Sequence, residues 1–527
     1  MSEQPTPPSP EPPSSQPAGI RWWPFYLIVL LFAGFQVWVW FGLDVQRQDK
    51  IMRSLGAGFL AVVLVVLWWL LYSRTRWKPR LGVFALVLVV GVGVGSLFRF
   101  RTVTGDLMPV LEPRWRQSSV TAVTDTNLLA SAPGFVLADF PQFLGPDRRV
   151  NLAGIELSRD WHQQPPRQLW RRPVGAGWSG FAVAGKAAVT LEQDGDNEVV
   201  ACYDLLTGEP RWRHAYAARY DTPVGGLGPR TVPTIVGDRV VTLGATGVLN
   251  CFTLAGGRPL WTVDILAENG ASVPDWGLAG SPLVHEGRVI VSAGGSDGRS
   301  LVAYDLGTGA RHWSGGGARA GYSAPTLGVL DGFEQVLIFN QNAVAAHDPA
   351  DGRVLWEYPW GKGQPHVALP IVVSSNTLFV SSGYGIGAEL LEVRRDAAGK
   401  WSAEQVWRSI RMKAKFTNVA RRGDFIYGLD DGMLACLDLN DGSQRWKEGR
   451  YGHGQMIMVD GLVILTAEDG GIVLLEPTPD APNELARIEA FDHKQWNPPA
   501  LAGQLLLVRT DREAACYRLP LLQNPGR

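Results

Sequence analysis

Three long apolar segments stand close to the N-terminus. Residues 24–43, 55–72 and 81–98 are almost free of charge, and each has the roughly 18 to 20 residues that a helix needs to cross the hydrocarbon core of a bilayer. The first segment is too long for the apolar part of a signal peptide and lacks a small-residue cleavage site, so it is predicted to be retained. The Pro-rich residues 1–20 hold almost nothing apolar and are predicted to be disordered.

The loops between these segments predict how the chain is oriented. Both loops are basic, with Arg47, Lys50 and Arg53 in the first and Arg74, Arg76, Lys78 and Arg80 in the second. The second loop is shorter and denser in positive charge, which favours it as cytoplasmic. Residues 21–98 are therefore predicted to form a multi-pass membrane domain with the N-terminus inside. Residues 99–139 are predicted to be a tether, and everything after Phe98 to lie outside, in the periplasm of a bacterium.

A repeated sequence motif characterises the chain after residue 140. The segment Ala-Cys-Tyr-Asp-Leu-Leu-Thr-Gly-Glu-Pro-Arg-Trp begins at Ala201 and recurs, with substitutions, from Asn250, Val302, Ala345 and Ala435. In every copy a Gly stands four residues before a Trp. The pairs are Gly208 and Trp212, Gly257 and Trp261, Gly309 and Trp313, Gly352 and Trp356, and Gly442 and Trp446. The Asp and the Gly predict a hairpin turn, and the Trp is predicted to pack between neighbouring sheets.

A second element, made of a strand, a polar turn and another strand, precedes each hairpin. It occurs eight times, starting at Phe181, Pro233, Pro282, Pro325, Pro370, Val419, Met456 and Pro499. The last hairpin stops before its Trp, and Trp170 near the start of the domain supplies the missing strand. Four-stranded units that close in this way predict an all-β propeller over residues 140–520, with eight blades favoured and seven as the alternative.

Composition removes some classes of function. The net charge is −1 and no basic run occurs in the C-terminal part, so nucleic acid is not expected as a partner. The four cysteines share one position of the repeat, which indicates a small buried residue. Equivalent positions in separate blades lie too far apart for a disulfide.

The repeat Ala-Cys-Tyr-Asp-x-x-x-Gly-x-x-x-Trp resembles that of the pyrroloquinoline-quinone (PQQ) propeller family. The opening Phe-Pro-Gln-Phe-Leu-Gly-Pro-Asp-Arg-Arg, from Phe140, resembles the start of bacterial PQQ-like propellers. The resemblance implies one of two classes. One is the quinoprotein dehydrogenases, and the other is the non-catalytic propellers, such as the barrel-assembly lipoprotein of the outer membrane, which bind partner proteins.

Candidate site residues come from the position three before each innermost strand, where propeller channels open. The residues chosen there and beside it are Trp178, Arg230, Tyr322, His366, Lys415, Phe416, His453 and Trp496. Aromatic, His and basic side chains could hold a planar anion or a peptide. They could equally fill the space between blades, and for His366 and His453 a structural role is favoured over catalysis.

Two hypotheses follow. The favoured one is a membrane-anchored, extracytoplasmic binding or scaffolding propeller of the cell envelope, with a protein or envelope polymer as partner and with no catalytic residue, metal or cofactor. The alternative is a PQQ-dependent, membrane-bound dehydrogenase of alcohols or sugars. The resemblance then implies calcium ligands, a catalytic Asp and often a disulfide of adjacent cysteines, none of which is recognisable. Asp221, Asp275 and Asp492 are the loop acids that could supply the carboxylates.

Overall fold

A computed structural model describes residues 19–115, 121–130, 134–361 and 363–522. The chain divides into two compact units, one of residues 1–101 and 106–117, and one of residues 102–105 and 118–527. The disorder predicted for residues 1–20 falls outside the described residues, except at Gly19 and Ile20. The predicted division into terminus, membrane domain, tether and propeller stays a prediction.

The first unit contains three long apolar helices, α1 (Trp23–Val37), α2 (Arg47–Leu67) and α3 (Trp77–Leu97). The first two continue into single π-helical turns, Trp38–Gly42 and Trp68–Tyr72. The resulting spans, Trp23–Gly42, Arg47–Tyr72 and Trp77–Leu97, are long and apolar enough to cross a membrane. Two strands follow, β1 (Phe98–Val103) and β2 (Pro109–Pro113), and they pair in a small sheet.

The second unit is an eight-bladed β-propeller, and the predicted fold is confirmed. Blade 1 consists of β6 (Ala182–Ala184), β7 (Ala187–Asp194), β8 (Asn197–Asp204) and β9 (Pro210–Ala217), and blade 2 of β12 (Thr234–Val236), β13 (Arg239–Leu243), β14 (Val248–Thr253) and β15 (Pro259–Asp264). Blade 3 consists of β16 (Leu283–His285), β17 (Arg288–Gly295), β18 (Arg299–Asp305) and β19 (Arg311–Gly315). Blade 4 consists of β20 (Thr326–Leu330), β21 (Phe333–Phe339), β22 (Ala343–His347) and β23 (Val354–Pro359).

Blades 5 to 8 continue in the same order, except that the last blade takes its outermost strand from the start of the domain. Blade 5 consists of β24 (Ile371–Val372), β25 (Thr377–Ser382), β26 (Gly387–Arg395) and β27 (Trp401–Ser409), and blade 6 of β28 (Ala420–Arg422), β29 (Phe425–Asp430), β30 (Met433–Asp438) and β31 (Gln444–Arg450). Blade 7 consists of β32 (Gln455–Val459), β33 (Leu462–Thr466), β34 (Gly471–Pro477) and β35 (Pro482–Glu489). Blade 8 consists of β36 (Ala500–Ala502), β37 (Leu505–Arg509), β38 (Glu513–Arg518) and β5 (Arg167–Pro173).

The remaining short elements flank these blades. They are β3 (Val123–Thr124), α4 (Thr126–Ala130), β4 (Asn151–Leu152), β10 (Asp221–Thr222), β11 (Gly226–Leu227) and α5 (Ile265–Asn269). Strand β3 extends blade 8 beyond β5, and β4 extends blade 7 as a parallel strand beside β32.

The ring closes where β5 pairs with β38, with Trp170 opposite Cys516. This is the closure that the truncated last repeat predicts. Strands from both ends of the domain share one sheet, so blade 8 cannot open without breaking its antiparallel ladder.

The repeat builds the contacts between blades. A Trp on the outermost strand of one blade donates its indole N–H to a turn carbonyl of the next, and we call these contacts the tryptophan clamps. Six are present among the described residues: Trp170 to Leu205 (2.9 Å), Trp212 to Leu254 (2.8 Å), Trp261 to Leu306 (3.0 Å), Trp313 to Pro349 (3.0 Å), Trp407 to Leu439 (2.8 Å) and Trp446 to Thr478 (2.8 Å).

The Gly of the turn is required because the indole ring of the clamp Trp packs directly against it. A β-carbon on Gly257 would lie 2.5 Å from Cδ2 of Trp212, and its φ is +64°, in the left-handed region. The preceding Asp caps the turn, as where Asp204 accepts the amides of Leu206 and Thr207. Sequence, turn and inter-blade packing are therefore specified together.

Two blade junctions depart from this pattern. Trp356 donates to the side-chain oxygen of Gln335 in its own blade, at 2.8 Å. Blade 7 places Ala486, instead of a Trp, opposite Leu474. These are the junctions of blade 4 with blade 5 and of blade 7 with blade 8. The outer hairpins of blades 5 and 7 are degenerate in sequence.

The four cysteines are free and buried, as the repeat predicts. Each lies opposite a clamp Trp on the adjacent strand, for example Cys202 opposite Trp212. Burial raises the pKa of the Cys202 thiol to about 12. Such thiols are poor nucleophiles at neutral pH, which fits a packing role.

Candidate binding funnel

One end of the channel is lined by the loops that precede the innermost strands, and these carry most of the predicted site residues. We call the following set the funnel: Trp178, Tyr220, Arg230, Trp276, Tyr322, Tyr384, Lys415, Phe416, His453, Glu468, Lys494 and Trp496. Five of them, Tyr220, Trp276, Tyr384, Glu468 and Lys494, were not predicted.

Aromatic rings from blades 1, 6, 7 and 8 meet on one side of the funnel. The ring centroids of Trp178 and Trp496 are 5.0 Å apart, those of Trp496 and Phe416 5.1 Å, and those of Phe416 and His453 5.2 Å. Trp178 donates its indole N–H to the carbonyl of Gly225 at 2.9 Å. These tilted contacts give the funnel a continuous aromatic wall.

Two lysines face this wall. Lys494 Nζ lies 3.4 Å from the ring centroid of Trp496 and 4.5 Å from that of Trp178. Lys415, only 2% exposed, lies 5.0 Å from the centroid of Tyr384 and 5.4 Å from that of Phe416. The wall thus carries cation–π contacts that hold both ammonium groups in place.

The opposite side continues the aromatic lining. Trp276 packs on Tyr322 at 5.4 Å and on Tyr384 at 6.4 Å between centroids. Arg230 lies 4.7 Å above the ring of Tyr220. Burial lowers the pKa of Arg230 to about 10 and raises that of Tyr322 to about 12. At neutral pH the guanidinium is therefore charged and the phenol is neutral.

Of the predicted residues, only His366 stays outside the funnel. Its side chain is fully buried and stacks on Phe339, with centroids 4.3 Å apart and planes at 10°. Burial lowers its pKa to about 4, so the imidazole is neutral at pH 7. His366 reaches the funnel only through its carbonyl, which accepts the amide of Tyr322. His366 lies close in sequence to the start of an innermost strand, but the sequence does not show that its ring points away from the funnel.

The carboxylate of the funnel is Glu468, not one of the three proposed acids. It follows β33, at a position that counting back from the innermost strands does not sample. Its Oε1 accepts the indole N–H of Trp496 at 2.9 Å, and its Oε2 accepts the amide of His453 at 2.9 Å.

The three acids proposed from the sequence make other contacts. Asp221 pairs with Arg219 at 3.0 Å, and the carbonyl of Asp275 accepts the hydroxyl of Tyr220. Asp492 groups with His493 and Glu513 within 4.8 Å of one another. Arg171 already neutralises Glu513, with Nε 2.6 Å from a carboxylate oxygen, so this group offers a divalent cation little net charge.

The funnel is filled by a short segment of this chain, Thr102–Gly105, which belongs to the same compact unit. Gly105 donates its amide to Glu468 at 2.6 Å and accepts Lys415 Nζ at 2.6 Å. Lys494 Nζ donates to the Thr102 hydroxyl and the Val103 carbonyl, both at 2.8 Å.

PQQ with calcium does not fit this arrangement. A planar quinone needs an open slot, but Trp496 packs on both Trp178 and Phe416, and Gly105 is bonded to Glu468 and Lys415 within the funnel. Calcium needs several oxygen ligands, but both oxygens of Glu468 accept protein N–H groups. Asp430 is likewise occupied by Lys413 at 2.7 Å and Lys447 at 3.0 Å.

A groove of about 390 Å³ adjoins the funnel and is lined mainly by the loops that precede blades 3, 4 and 5. Trp276 and Tyr322 line both the groove and the funnel, and Asp275, Arg319 and Gln364 are among the polar residues of the groove. Its lining offers both charges, and its volume falls within the range of about 300–1,000 Å³ that is usual for ligand sites.

The other end of the channel is crossed by the segment that resembles the family opening. Phe140 bridges to Val183 in blade 1, and Arg148 donates to the carbonyls of Ser281 and Pro282, both at 2.9 Å. Burial lowers the pKa of Arg148 to about 9. A cavity of about 210 Å³ remains between this segment and blades 4 to 6.

Known proteins with similar sequences belong to the same class of propeller. A profile of the family described as outer membrane protein assembly factor BamB matches residues 195–448. BamB of Burkholderia pseudomallei (strain K96243) is 27% identical over 201 residues, which cover 36% of this chain and 49% of that protein. The resemblance to the PQQ-like propeller family is confirmed. The match spans about half the length of this curated relative.

A solved structure shares the propeller fold. The quinohemoprotein alcohol dehydrogenase from Comamonas testosteroni superposes with a TM-score of 0.53 at 12% identity, over 76% of this chain and 84% of that one. BamB from Moraxella catarrhalis gives a TM-score of 0.48 at 16% identity, over 68% of this chain and 99% of that one. At these identities the dehydrogenase match shows the fold alone.

Proposed function

We propose that this protein is a protein-binding propeller of the cell envelope, anchored in the inner membrane by α1 to α3 and placed with its propeller in the periplasm. The observation that carries the proposal is the funnel and its groove, where aromatic and cationic side chains surround a peptide segment and not a cofactor slot. The likeness to an outer-membrane assembly factor supports the same class of function.

Membrane anchoring is supported by the surface of the three helices. Leu30, Phe59 and Val89 are 68, 74 and 66% exposed within the chain, a degree of apolar exposure that water does not tolerate over three whole helices. Alkaline phosphatase fused after residue 522 is expected to be active in bacterial cells, and green fluorescent protein at the same site to be dark. The reverse result would place the propeller in the cytoplasm.

Partner binding is tested by photo-crosslinking in cells. A photoreactive amino acid replaces Val273, which lines the groove and is 42% exposed, or Val406, which is 52% exposed on the outermost strand of blade 5. We expect a discrete adduct with an envelope protein from position 273 and none from position 406. Equal adducts from both positions, or none from position 273, would contradict a groove-directed partner.

The dehydrogenase alternative is tested in parallel on the purified full chain. Because the funnel does not fit the quinone, adding PQQ and calcium is expected to leave the melting temperature unchanged and to give no dye-linked alcohol oxidation. A clear melting shift with turnover would replace the proposed function by the alternative.

A further inference from the structure

The hydrogen bonds between the funnel and Thr102–Gly105 involve mainly main-chain atoms of the segment. Of the four described above, three involve the amide or carbonyl of Gly105 or the carbonyl of Val103, and one involves the Thr102 hydroxyl. Bonds of this kind form with any extended segment, whatever its side chains, as in the addition of a strand to a sheet. The funnel is therefore built to hold a peptide backbone.

One position does restrict the sequence. A β-carbon on Gly105 would lie 2.6 Å from Cγ of His453 and 2.9 Å from its Cβ. The φ of Gly105 is outside the left-handed region, so the requirement is space and not backbone conformation. A segment that binds here needs a Gly at its deepest point.

The charged groups stabilise the occupied funnel over the empty one. Glu468 is fixed by Trp496 and His453, so it stays aimed at the position of the Gly105 amide. Lys415 is almost fully buried. Removing the segment would cost each of these groups a charge-assisted hydrogen bond.

We propose that the funnel is a binding site for an extended, Gly-containing peptide segment, and that Thr102–Gly105 occupies it in cis until a segment of the same chemistry from a partner replaces it. The inference rests on the proposed protein-binding function and names the chemistry of the partner. A tethered segment acts at an effective concentration of about 1 mM or more, so a partner must present its segment tightly or locally.

The test uses the full chain in detergent and a fluorescent peptide with the sequence of residues 101–107, Arg-Thr-Val-Thr-Gly-Asp-Leu. Gly105→Val expels the tethered segment by its clash with His453. The variant is expected to bind the peptide, measured by anisotropy, at least about tenfold more tightly than the wild type, because the intramolecular competitor is gone. A peptide with Val in place of Gly should not bind.

Gly256→Val is the matched control, because a β-carbon there meets no atom within 4 Å. It should behave as the wild type. If Gly105→Val does not fold, replacing residues 102–105 by Ser-Pro-Ser-Pro serves instead. A released funnel that does not bind the peptide in either variant overturns the inference.

Occupancy in cis is measured separately by maleimide labelling of Thr102→Cys, at a position 7% exposed, against Met108→Cys, at a position 46% exposed. The native cysteines are buried and give little background. We expect slow labelling at 102, accelerated by Gly105→Val. Equal rates at 102 and 108 overturn the inference, and neither failure affects the crosslinking test at Val273.

Discussion

The six tryptophan clamps at the outer edge of the propeller repeat one contact, whereas the funnel side chains at equivalent positions differ in size and charge from blade to blade. A clamp uses a large apolar ring, one indole N–H and a Gly turn, so its contribution is burial and packing. The funnel uses buried lysines and a carboxylate whose bonds go to a peptide segment. The outer edge holds the blades of the propeller together, and the funnel is specialised for contact with a peptide segment.

The difference predicts where the chain tolerates change. Substitutions at the edge should lower the free energy of unfolding, because a clamp bridges two blades. Substitutions in the funnel should affect binding more than folding, because the funnel lies on loops beyond the innermost strands. The predictions that follow are ordered by the size of the expected effect.

Trp170→Ala should have the largest effect on stability. Trp170 is 1% exposed, and it joins blade 8 to blade 1 where the ring closes. Truncating a buried Trp costs about 3–5 kcal/mol, so the urea midpoint of the full chain should fall markedly. Val329→Ala, at a position 55% exposed, is the control and should stay near the wild type. Equal midpoints for the two variants would mean that the clamp does not hold the ring.

Gly257→Ala isolates the contact between a turn and its clamp. Gly257 and Gly185 both have positive φ, at +64° and +54°, but only Gly257 faces a Trp ring. Each substitution pays about 1 kcal/mol of backbone strain, and overpacking adds a further 1–3 kcal/mol or so at Gly257 alone. Urea unfolding of both variants measures the difference, and equal losses would assign the whole cost to the backbone.

The edge could be predicted from sequence because its information is local and periodic. The Gly, the Trp and the capping Asp lie within nine residues of one another, and they recur in most blades. Trp170 could be matched to the truncated last repeat because a blade has a fixed number of strands. The structure lacks a clamp at the junctions of blade 4 with blade 5 and of blade 7 with blade 8. Blades 5 and 7 are the two blades whose outer hairpins are degenerate in sequence.

The funnel could be predicted only in part, since its position follows from the repeat but its partners do not. Counting back from the innermost strands found Trp178, Phe416, His453 and Trp496. It did not include Glu468, which lies on a different loop. It also gave no direction for the His366 side chain, which the structure places outside the funnel. The contact between Lys415 and Gly105 joins residues 310 apart in sequence, a separation at which no periodicity operates.

His366 sharpens the comparison, because it lies beside the funnel but behaves as part of the packed interior. Its pKa is lowered by burial to about 4, so the unfolded chain takes up a proton first as the pH falls. Stability is then complete above pH 6.5 and is lost as the pH falls towards 4, by about 2 kcal/mol between pH 7 and pH 5. His347, whose pKa burial also lowers, adds to the loss.

Urea midpoints at pH 7 and pH 5 test this dependence. His366→Gln should reduce the difference between the two midpoints, whereas His162→Gln, at an exposed position, should leave it unchanged. A difference that is the same in His366→Gln and the wild type would show that other groups govern the acid sensitivity.

Lys494→Gln should have the smallest effect on folding. It removes the ammonium that lies 3.4 Å from the ring centroid of Trp496 and donates to Thr102 and Val103. Because the amide can keep part of this bonding, the expected loss is about 1 kcal/mol or less in urea unfolding. The exposed Lys186→Gln is its control. Maleimide labelling of Thr102→Cys should nevertheless become faster in the Lys494 variant, because the segment loses a contact that holds it. A loss of stability as large as that of Trp170→Ala would mean that the funnel is part of the framework, and the contrast between the two regions would fail.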